Sequence, residues 1–305
     1  MKVFLTGATG YIGSAVADKL LAAGHTVLGL SRSSESDDKL RSKGIEPYRG
    51  DLTDLQSLAH GTRNADGVIH TGNPFNPQDF SKVLMIDRNA VDAMLDALEG
   101  TDKPFVYTSG TRVIAPSEHV FDEDTPFTPD DDFLGTRAVT EQIVFAAAAR
   151  GIRSIVLRPP VVYGRGGSVH IPFQMQYAKQ TGVVRYIKTG DAVLSTVHVD
   201  DLADLYLLAI EHALPGSLFN TASGEVTTQA VAEAISHILG LGGQVESWLI
   251  EQASEEWGTV FVRFWGTSNR TTGEKARKVL AWNPKAPNII DDILHGSYHQ
   301  LAVDG

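Results

Sequence analysis

The chain has 305 residues, 42% of them hydrophobic, which is enough for one large α/β domain or a nucleotide-binding domain with a smaller lobe. A net charge of −11 argues against nucleic acid and anionic membranes as partners, and the absence of cysteine excludes disulfides, a thiol nucleophile and thiolate metal sites. With no signal-peptide pattern and no apolar segment near the roughly 20 residues that span a bilayer, we expect a cytoplasmic enzyme or small-molecule binder.

The first recognisable pattern runs from residue 2 to residue 30. A short β-rich run over residues 2–6 is typical of a buried parallel strand, and a glycine-rich turn, a helical pattern and a strand over residues 25–30 follow it. This order is the context that a dinucleotide-binding turn requires, although an ordinary βα turn can also be rich in glycine. The expected contacts to the cofactor from this turn are Gly7, Thr9, Gly10, Tyr11, Ile12 and Gly13.

The end of the second strand bears on the choice between NAD and NADP. NAD-preferring sites place an acidic side chain here to accept hydrogen bonds from the ribose 2′-hydroxyl. This chain has Ser31, Arg32 and Ser33 instead, and the first acidic residue is Glu35. A guanidinium and hydroxyls suit a 2′-phosphate, so the sequence favours NADP(H). The alternative is that Arg32 is a solvated loop residue.

Further strands are predicted over residues 45–49, 67–72 and 104–110, with a long amphipathic helix over residues 80–99. Small or polar residues follow the strand ends, and open α/β sheets bind ligands there. Asp51 can cap the next helix or accept a hydrogen bond from an adenine amino group, and both can hold at once. The expected cofactor contacts in this part are Asp51, Leu52, Thr71 and Gly72.

Five motifs, at residues 6–13, 50–52, 107–109, 157–164 and 197–201, together resemble the extended short-chain dehydrogenases/reductases of the NAD-dependent epimerase/dehydratase group. The resemblance implies an α/β fold with a Rossmann-type, doubly wound parallel sheet and a small C-terminal α+β substrate lobe. It implies an NADP-binding domain over residues 1–165 with 190–235, and a substrate lobe over residues 166–189 with 236–305. It also places Pro160 in a turn close to the nicotinamide.

The resemblance fails where the family carries its catalytic groups. Relatives use a Ser or Thr after the fifth strand and a Tyr-x-x-x-Lys segment, commonly with a Glu four residues past the Lys. Glu141 fits that Glu, which puts Arg137 at the Lys position and Phe133 at the Tyr position, and Gly110 falls at the hydroxyl position. The chain has no Tyr between Tyr107 and Tyr163 and no Lys between Lys103 and Lys179, so no shift of register restores the motif. The sequence therefore predicts an atypical member without the triad.

Arg137 can still donate hydrogen bonds to ribose hydroxyls or a phosphate, so cofactor binding is expected to survive. Hydride comes from the cofactor, and another group or water has to supply the proton. Tyr163 belongs to a structural Val-Tyr-Gly turn in relatives, His198 belongs to a packing motif, and a hydrogen-bonded core role is the alternative for every candidate donor. The candidate donors are Ser109, Thr111, Thr71, Tyr163 and His198, and the predicted catalytic set is Ser109, Thr111, Arg137 and Tyr163.

Three tryptophans, Trp248, Trp257 and Trp265, lie in the window 248–270, which is either an aromatic wall over a pocket or the core of a small lobe. No metal-binding pattern is present. The function predicted first is an NADP(H)-dependent oxidoreductase acting on a small apolar or aromatic carbonyl, imine or activated alkene. A non-redox isomerase or cyclase and a silent NADP(H) sensor are the alternatives. A homodimer is expected through helices 80–99 and 137–150, as in relatives.

Overall fold

The structure is a computed structural model that describes residues 1–74, 79–127 and 132–303, without the side chains of Phe80 and of residues 132–136. The strands are β1 (Lys2–Thr6), β2 (Thr26–Ser31), β3 (Glu46–Arg49), β4 (Gly67–His70), β5 (Pro104–Thr108), β6 (Ser117–Phe121), β7 (Arg153–Arg158), β8 (Val161–Tyr163), β9 (Val184–Ile187), β10 (Val193–His198), β11 (Ser217–Asn220), β12 (Gly224–Thr227), β13 (Val245–Trp248) and β14 (Asn269–Thr271).

The helices are α1 (Tyr11–Ala22), α2 (Ser34–Ser42), α3 (Leu55–Arg63), α4 (Phe80–Leu98), α5 (Asp132–Ala146), α6 (His170–Thr181), α7 (Val199–His212), α8 (Thr228–Ile238), α9 (Ile250–Trp257), α10 (Thr259–Trp265), α11 (Glu274–Leu280), α12 (Ile289–His295) and α13 (His299–Val303). Short 3₁₀ helices cover Thr111–Val113 and Ala147–Arg150. No helix in the described ranges is long and apolar enough to cross a membrane.

The main sheet has seven strands in the order β11-β7-β5-β4-β1-β2-β3, and every neighbouring pair is parallel. Alternate residues of β1 point to opposite faces: Val3 and Leu5 belong to a core with α1, α7 and α11, and Phe4 belongs to a core with α3, α4 and α5. Helices therefore cover both faces, which confirms the predicted Rossmann-type, doubly wound sheet. The strand order reverses beside β1, where such sheets bind their ligands.

Another core, separate from the two on the faces of the main sheet and called the second core below, lies against the carboxyl side of this sheet. Strands β12, β10, β14 and β6 form a sheet with β8 attached to β10, and β9 pairs with β13. The second core contains residues of α6, α8, α9, α10 and α12, so the predicted substrate lobe has its own apolar interior.

Two segments pack in a different part of the molecule from the one that the predicted domain boundaries give them. Helix α8 was predicted to begin within the nucleotide domain, but Val231 and Ile235 pack in the second core because they face β9 and α12. Conversely, Ala276 and Trp282, which were predicted in the substrate lobe, pack with α1 and α7 on one face of the main sheet. The indole N–H of Trp282 donates to the carbonyl oxygen of Asp201 at 2.8 Å, which fastens this late segment to α7.

Candidate functional site

The turn between β1 and α1 leaves no room for side chains. Gly7 has a φ of +74°, and a Cβ on it would lie 2.8 Å from the backbone nitrogen of Gly72. A Cβ on Gly13 would lie 2.1 Å from the carbonyl oxygen of Gly7. Gly10 is the N-cap of α1 and has no side chain to bond the first N–H groups of the helix. Those N–H groups and the helix dipole suit a phosphate, so the residues present fit the pyrophosphate of a dinucleotide.

The residues beside these glycines face in different directions. Thr9 is exposed and Ile12 is half-buried. The hydroxyl of Tyr11 donates to the carbonyl oxygen of Gly164 at 2.8 Å, and a Cβ on Gly167 would lie 2.2 Å from the Tyr11 ring. The loop that leads from β8 into the second core is therefore packed directly onto the start of α1. The phosphate site and the predicted substrate lobe consequently meet at Tyr11.

The end of β2 has the predicted cationic character. Arg32 is exposed and has no hydrogen bond or ion pair within the described part of the chain. The hydroxyl of Ser33 caps α2 by accepting from Ser36, and Ser31 donates to the carbonyl oxygen of Ser33. Arg32 is thus the side chain left for a ligand, while the two serines shape the turn. The site fits a 2′-phosphate through Arg32.

Asp51 does not cap the next helix, because Asp54 is the N-cap of α3. One carboxylate oxygen of Asp51 accepts from the backbone and hydroxyl of Thr53, at 2.8 and 2.7 Å. Burial acts to raise the pKa of Asp51. The hydrogen bonds from Thr53 and the charge of Arg32 outweigh that effect, so the pKa lies below its usual value. The helix-capping alternative is therefore wrong, and the adenine alternative stays a prediction.

Leu52, Thr71 and Gly72 come together beside the glycine turn. A Cβ on Gly72 would lie 3.3 Å from Leu52 Cδ1, and a Cβ on Gly13 would lie 2.7 Å from the hydroxyl of Thr71. That hydroxyl donates to the carbonyl oxygen of Thr6 at 2.7 Å. Gly13 at the start of α1, Leu52 after β3, and Thr71 and Gly72 after β4 therefore lie together at one edge of the sheet.

The carboxyl end of β5 holds Ser109, Gly110 and Arg137. The Nη1 atom of Arg137 donates a long hydrogen bond, 3.4 Å, to the carbonyl oxygen of Ser109. A Cβ on Gly110 would lie 3.8 Å from that Nη1 and from the carbonyl oxygen of Pro159. Arg137 is half-buried, and within the described ranges it has no ion pair. Its donors are therefore available to a ligand above β5. Phe133 lies in α5, but its side chain is outside the described residues.

A buried ion pair sets the position of Arg137. Arg158, at the end of β7, donates through Nε to both carboxylate oxygens of Glu141 at 3.0 Å and also through Nη2. Both side chains are almost fully buried. Arg137 precedes Glu141 by one helical turn on the same side of α5. The pair therefore fastens α5 to the sheet at the height that brings Arg137 to the end of β5.

The predicted proton donors differ in whether their hydroxyl or ring is already engaged. Tyr163 donates to the carbonyl oxygen of Pro287 at 2.7 Å, and burial raises its pKa, so this geometry favours a structural role. His198 caps α7 by accepting from Asp200. Thr71 donates to backbone, as described above. Ser109 differs from these, because its Oγ is buried and has no hydrogen-bond partner in the described part of the chain. Thr111 is buried and follows it.

A buried polar network beneath the site was not predicted. The hydroxyl of Thr6 and Nδ1 of His70 are 2.6 Å apart, and Nε2 of His70 is 3.2 Å from Asp87. The hydroxyl of Tyr107 donates to the other oxygen of Asp87 at 2.7 Å. Burial acts to raise the pKa of Asp87, but the bond from His70 and the charge of Arg137 lower it. Since α4 supplies Asp87, the network ties this helix to the strand ends that hold the site.

Arg112, which also was not predicted, joins the end of β5 to the second core. It donates to the carbonyl oxygens of Phe264 and Thr267 and to the hydroxyl of Thr267. These atoms lie at and just beyond the end of α10, where a cation is favourable. Burial lowers the pKa of Arg112 to about 10. These hydrogen bonds of Arg112 hold the aromatic residues of α10 close to β5, the strand that ends at the site.

Pro160 is half-buried beside this strand end, where the backbone N–H of Thr111 donates to the carbonyl oxygen of Pro159 at 3.1 Å. No group of three or more potential metal ligands occurs in the residues that the structure describes. The assembled site is therefore a phosphate-binding turn, an exposed Arg32, and an Arg137 donor at the end of β5. These groups suit the binding of a nucleotide.

Comparison with known proteins agrees with this geometry. Residues 3–222 match the NAD dependent epimerase/dehydratase family. The uncharacterized protein YLL056C of Saccharomyces cerevisiae is 36% identical over 96% of this chain and 98% of its own length. The 2-alkyl-3-oxoalkanoate reductase of Stenotrophomonas maltophilia is 30% identical over 71% of this chain and 67% of its own. The structure of MoeE5 in complex with UDP-glucose and NAD has a TM-score of 0.80 at 21% identity, covering 99% of this chain and 98% of that one.

Proposed function

Because the chain belongs to the NAD dependent epimerase/dehydratase family, we propose that it is an NADP(H)-dependent reductase of a small apolar or aromatic carbonyl, imine or activated alkene. Similar proteins include reductases, dehydrogenases and epimerases, so an oxidoreductase of the short-chain dehydrogenase/reductase superfamily is the general class. One of them is named for an oxoalkanoate, whose oxo group is a carbonyl.

The observation that carries the proposal is the position of Arg137. Its guanidinium lies at the carboxyl end of β5, half-buried, with one long bond to the carbonyl oxygen of Ser109. A side chain with five donors in a fixed planar arrangement is well suited to ribose hydroxyls or a phosphate. Arg137 would hold the nicotinamide ribose, and the glycine turn would hold the pyrophosphate. NADPH, when bound, supplies the hydride.

NADP is proposed over NAD because of the residues after β2. Arg32 is exposed and unpaired within the described ranges, and no carboxylate occurs among residues 31–34. A cation there stabilises a 2′-phosphate, whereas a carboxylate would repel it. The carboxylate of Asp37, one turn into α2, is paired with Arg49 at 2.6 Å and is thereby neutralised. These contacts support NADP, and nucleotide-binding measurements test it.

We propose that the proton comes from a donor other than a tyrosine, since Phe133 stands where the resemblance expects the tyrosine and Tyr163 already donates to Pro287. Guanidinium groups do not release a proton in proteins, so Arg137 orients and does not donate in the acid–base sense. The hydroxyl of Ser109 is buried beside Arg137 and has no partner in the described part of the chain. We propose that Ser109 hands on a proton that originates from water, within hydrogen-bond reach of the substrate atom.

The test is to titrate the protein with NADPH and then to follow NADPH oxidation with a panel of carbonyl, imine and activated-alkene compounds. The proposal expects one NADPH oxidised for each product formed, and Ser109→Ala is expected to slow the reaction while leaving NADPH binding unchanged. NADPH that binds and is never oxidised would favour a sensor. Product formed without nucleotide would favour an isomerase or cyclase.

We also propose that two copies of the chain associate through α4 and α5. Met85 on α4 and Phe145 on α5 are each 54% exposed, which is unusual for large apolar side chains. Burying them between two copies would remove both from water. Light scattering after size-exclusion chromatography should give twice the mass of the chain, and Phe145→Glu should give a monomer. A monomer for the unchanged protein would contradict the proposal.

A further inference from the structure

Aromatic rings of α6, α9 and α10 form a continuous row next to the site. The rings of His170 and Trp265 are stacked with centroids 4.7 Å apart, and His170 is 4.8 Å from Phe261. Phe173 continues the row, 4.7 Å from Phe261 and 5.6 Å from Trp257. We call the surface lined by these five rings and by Gln174 the aromatic cleft.

Part of the aromatic cleft is accessible to solvent. Trp257 and Trp265 are buried, but His170, Phe173 and Phe261 remain partly accessible although they contact other rings. One end of the row lies near the site, because Trp265 follows the residue whose carbonyl oxygen Arg112 binds. His170 and Trp265 stack on one another, whereas Phe173 meets Trp257 edge-on and Phe261 at an angle, so the row offers ring edges as well as faces against which an aromatic ligand can pack.

The polar atoms of the cleft lack partners. Gln174 is only 2% exposed, and neither its amide nitrogen nor its carbonyl oxygen has a hydrogen-bond partner in the described part of the chain. The same is true of Nδ1 of His170 and of the indole nitrogens of Trp257 and Trp265. Buried polar groups are nearly always bonded, and leaving them unbonded is unfavourable. Five such atoms in one cleft leave donors and acceptors for a ligand, and the amide of Gln174 supplies two of them.

The position of Gln174 indicates which end of the ligand carries a polar group. His170 and Gln174 are four residues apart on α6 and therefore lie on the same side, one turn apart. His170 is at the end near the strand, against Trp265, and Gln174 is one turn farther along. A ligand whose reacting group lies at the end of β5 would reach Gln174 with its opposite end.

The lining of the cleft is neutral. Burial lowers the pKa of His170 to about 3, with a further contribution from the charge of Arg112, so the imidazole is uncharged at physiological pH. Arg112 is bound by carbonyl oxygens, and Arg185 at the far side is paired with Glu246 and lies over Trp248. Indoles, an amide and a neutral imidazole suit an uncharged ligand better than an anion.

We propose that the aromatic cleft binds a neutral, planar aromatic carbonyl compound and that Gln174 forms a hydrogen bond with a hydroxyl group at the end remote from the carbonyl. The proposal deepens the reductase function proposed above, since it names the substrate class of the same site. Gln174 is a specificity-determining residue in this scheme, and the rings favour an aromatic ligand through edge and face contacts.

The test uses calorimetric titration of the full chain saturated with NADP⁺, so that binding is measured without reduction. The probes are 2-acetylnaphthalene, its 6-hydroxy and 6-methoxy derivatives, and the non-planar acetylcyclohexane. Gln174→Met removes the amide at nearly the same volume. Gln176→Met makes the same change at an exposed position of the same helix and is the matched control.

The 6-hydroxy ketone should bind about 3- to 10-fold more tightly than the parent ketone, the gain expected from one hydrogen bond. Gln174→Met should abolish this ratio and raise the melting temperature of the ligand-free protein, because no unbonded amide remains buried. Gln176→Met should preserve the ratio. Acetylcyclohexane should bind at least about tenfold more weakly than 2-acetylnaphthalene, because it lacks the aromatic faces and edges that pack against the rings.

Three results would overturn the proposal: equal binding of the flat and the non-planar ketone, no preference for the hydroxyl group, or an equal loss of preference in both variants. The comparison of 6-hydroxy with 6-methoxy ketone on the unchanged protein decides the same point if Gln174→Met does not fold. Ketones that bind as expected but are never reduced with NADPH would refute the reductase and leave the cleft assignment intact.

Discussion

Replacing Arg137 by alanine tests the central assignment most directly. In the described part of the chain, the side chain makes one hydrogen bond, 3.4 Å long, to the carbonyl oxygen of Ser109, and no ion pair. Removing it therefore deletes little that holds the folded protein together. The buried pair of Arg158 and Glu141, which positions α5, stays in place.

The magnitude follows from these contacts. A long bond from a half-buried guanidinium to a backbone oxygen contributes at most about 1 kcal/mol to folding. Charge-assisted hydrogen bonds to a bound nucleotide contribute about 1.5–3 kcal/mol, and each 1.4 kcal/mol is a factor of ten in affinity. Arg137→Ala should thus weaken NADPH binding by about 10- to 150-fold while the urea unfolding midpoint changes little. Arg137→Lys should retain most of the affinity.

The assay is a fluorescence titration with NADPH at fixed ionic strength, together with urea unfolding of each variant. Arg88→Ala is the matched control, because Arg88 is an exposed arginine of the neighbouring helix α4 whose carboxylate partner, Asp92, is 3.9 Å away. Its NADPH affinity should equal that of the unchanged protein. Unaltered NADPH binding in Arg137→Ala would refute the assignment of Arg137 to the cofactor, and equal losses in both variants would show only an effect of net charge.

Three further predictions concern the nucleotide, the buried pair and pH. Arg32→Ala should weaken NADPH binding by about 10-fold or more and leave NADH binding unchanged, as judged against Arg41→Ala, because the lost contact is to the 2′-phosphate; an equal loss for both nucleotides would contradict this. Glu141→Gln should lower the free energy of unfolding by about 3–5 kcal/mol, because it leaves the buried Arg158 without its carboxylate, and Glu141→Leu combined with Arg158→Met should recover most of that loss; urea unfolding that shows less than about 1 kcal/mol for Glu141→Gln would refute the reasoning. His170, whose pKa burial lowers to about 3, is protonated in the unfolded chain below about pH 6.5 but not in the folded protein, so stability falls as pH falls through this window. Relative to His170→Phe, the unchanged protein should lose about 2 kcal/mol between pH 6.5 and pH 5, and parallel pH profiles would contradict the assignment.

The parallel sheet and the nucleotide turn could be predicted because local rules determine them. Short β-rich runs are typical of strands buried on both faces, and the close packing around Gly7 and Gly13 requires glycine. The position of Arg137 could also be predicted, since it lies four residues before Glu141 on one helix. The strands and the turn needed only neighbours in sequence, whereas the prediction for Arg137 also needed the resemblance to the family.

Features that depend on distant segments were not predictable in the same way. Asp51 was weighed as a helix cap because it follows a strand, but Asp54 is the cap, and only the path of the chain distinguishes the two. Arg112 bonds to atoms more than 150 residues away. The tryptophans of the window 248–270 were expected either to form a wall or to fill a core. Trp257 and Trp265 fill the second core, Trp265 with no exposed surface, whereas Trp248 is half-buried with Arg185 over its ring.

The changes at positions 110 and 137 support one another physically. A Cβ at position 110 would lie 3.8 Å from Nη1 of Arg137, an ordinary van der Waals distance, so a hydroxyl on that Cβ could accept a hydrogen bond from the guanidinium, and glycine leaves that donor to a ligand. Glycine at this position leaves room for a side chain that reaches farther than lysine and carries its donors in a plane. One edge of that guanidinium can hold the ribose while another donor points toward a substrate oxygen. Arg137 would then orient the substrate as well as the cofactor. Ser109, whose buried hydroxyl lies next to it, would pass the proton from water to the substrate.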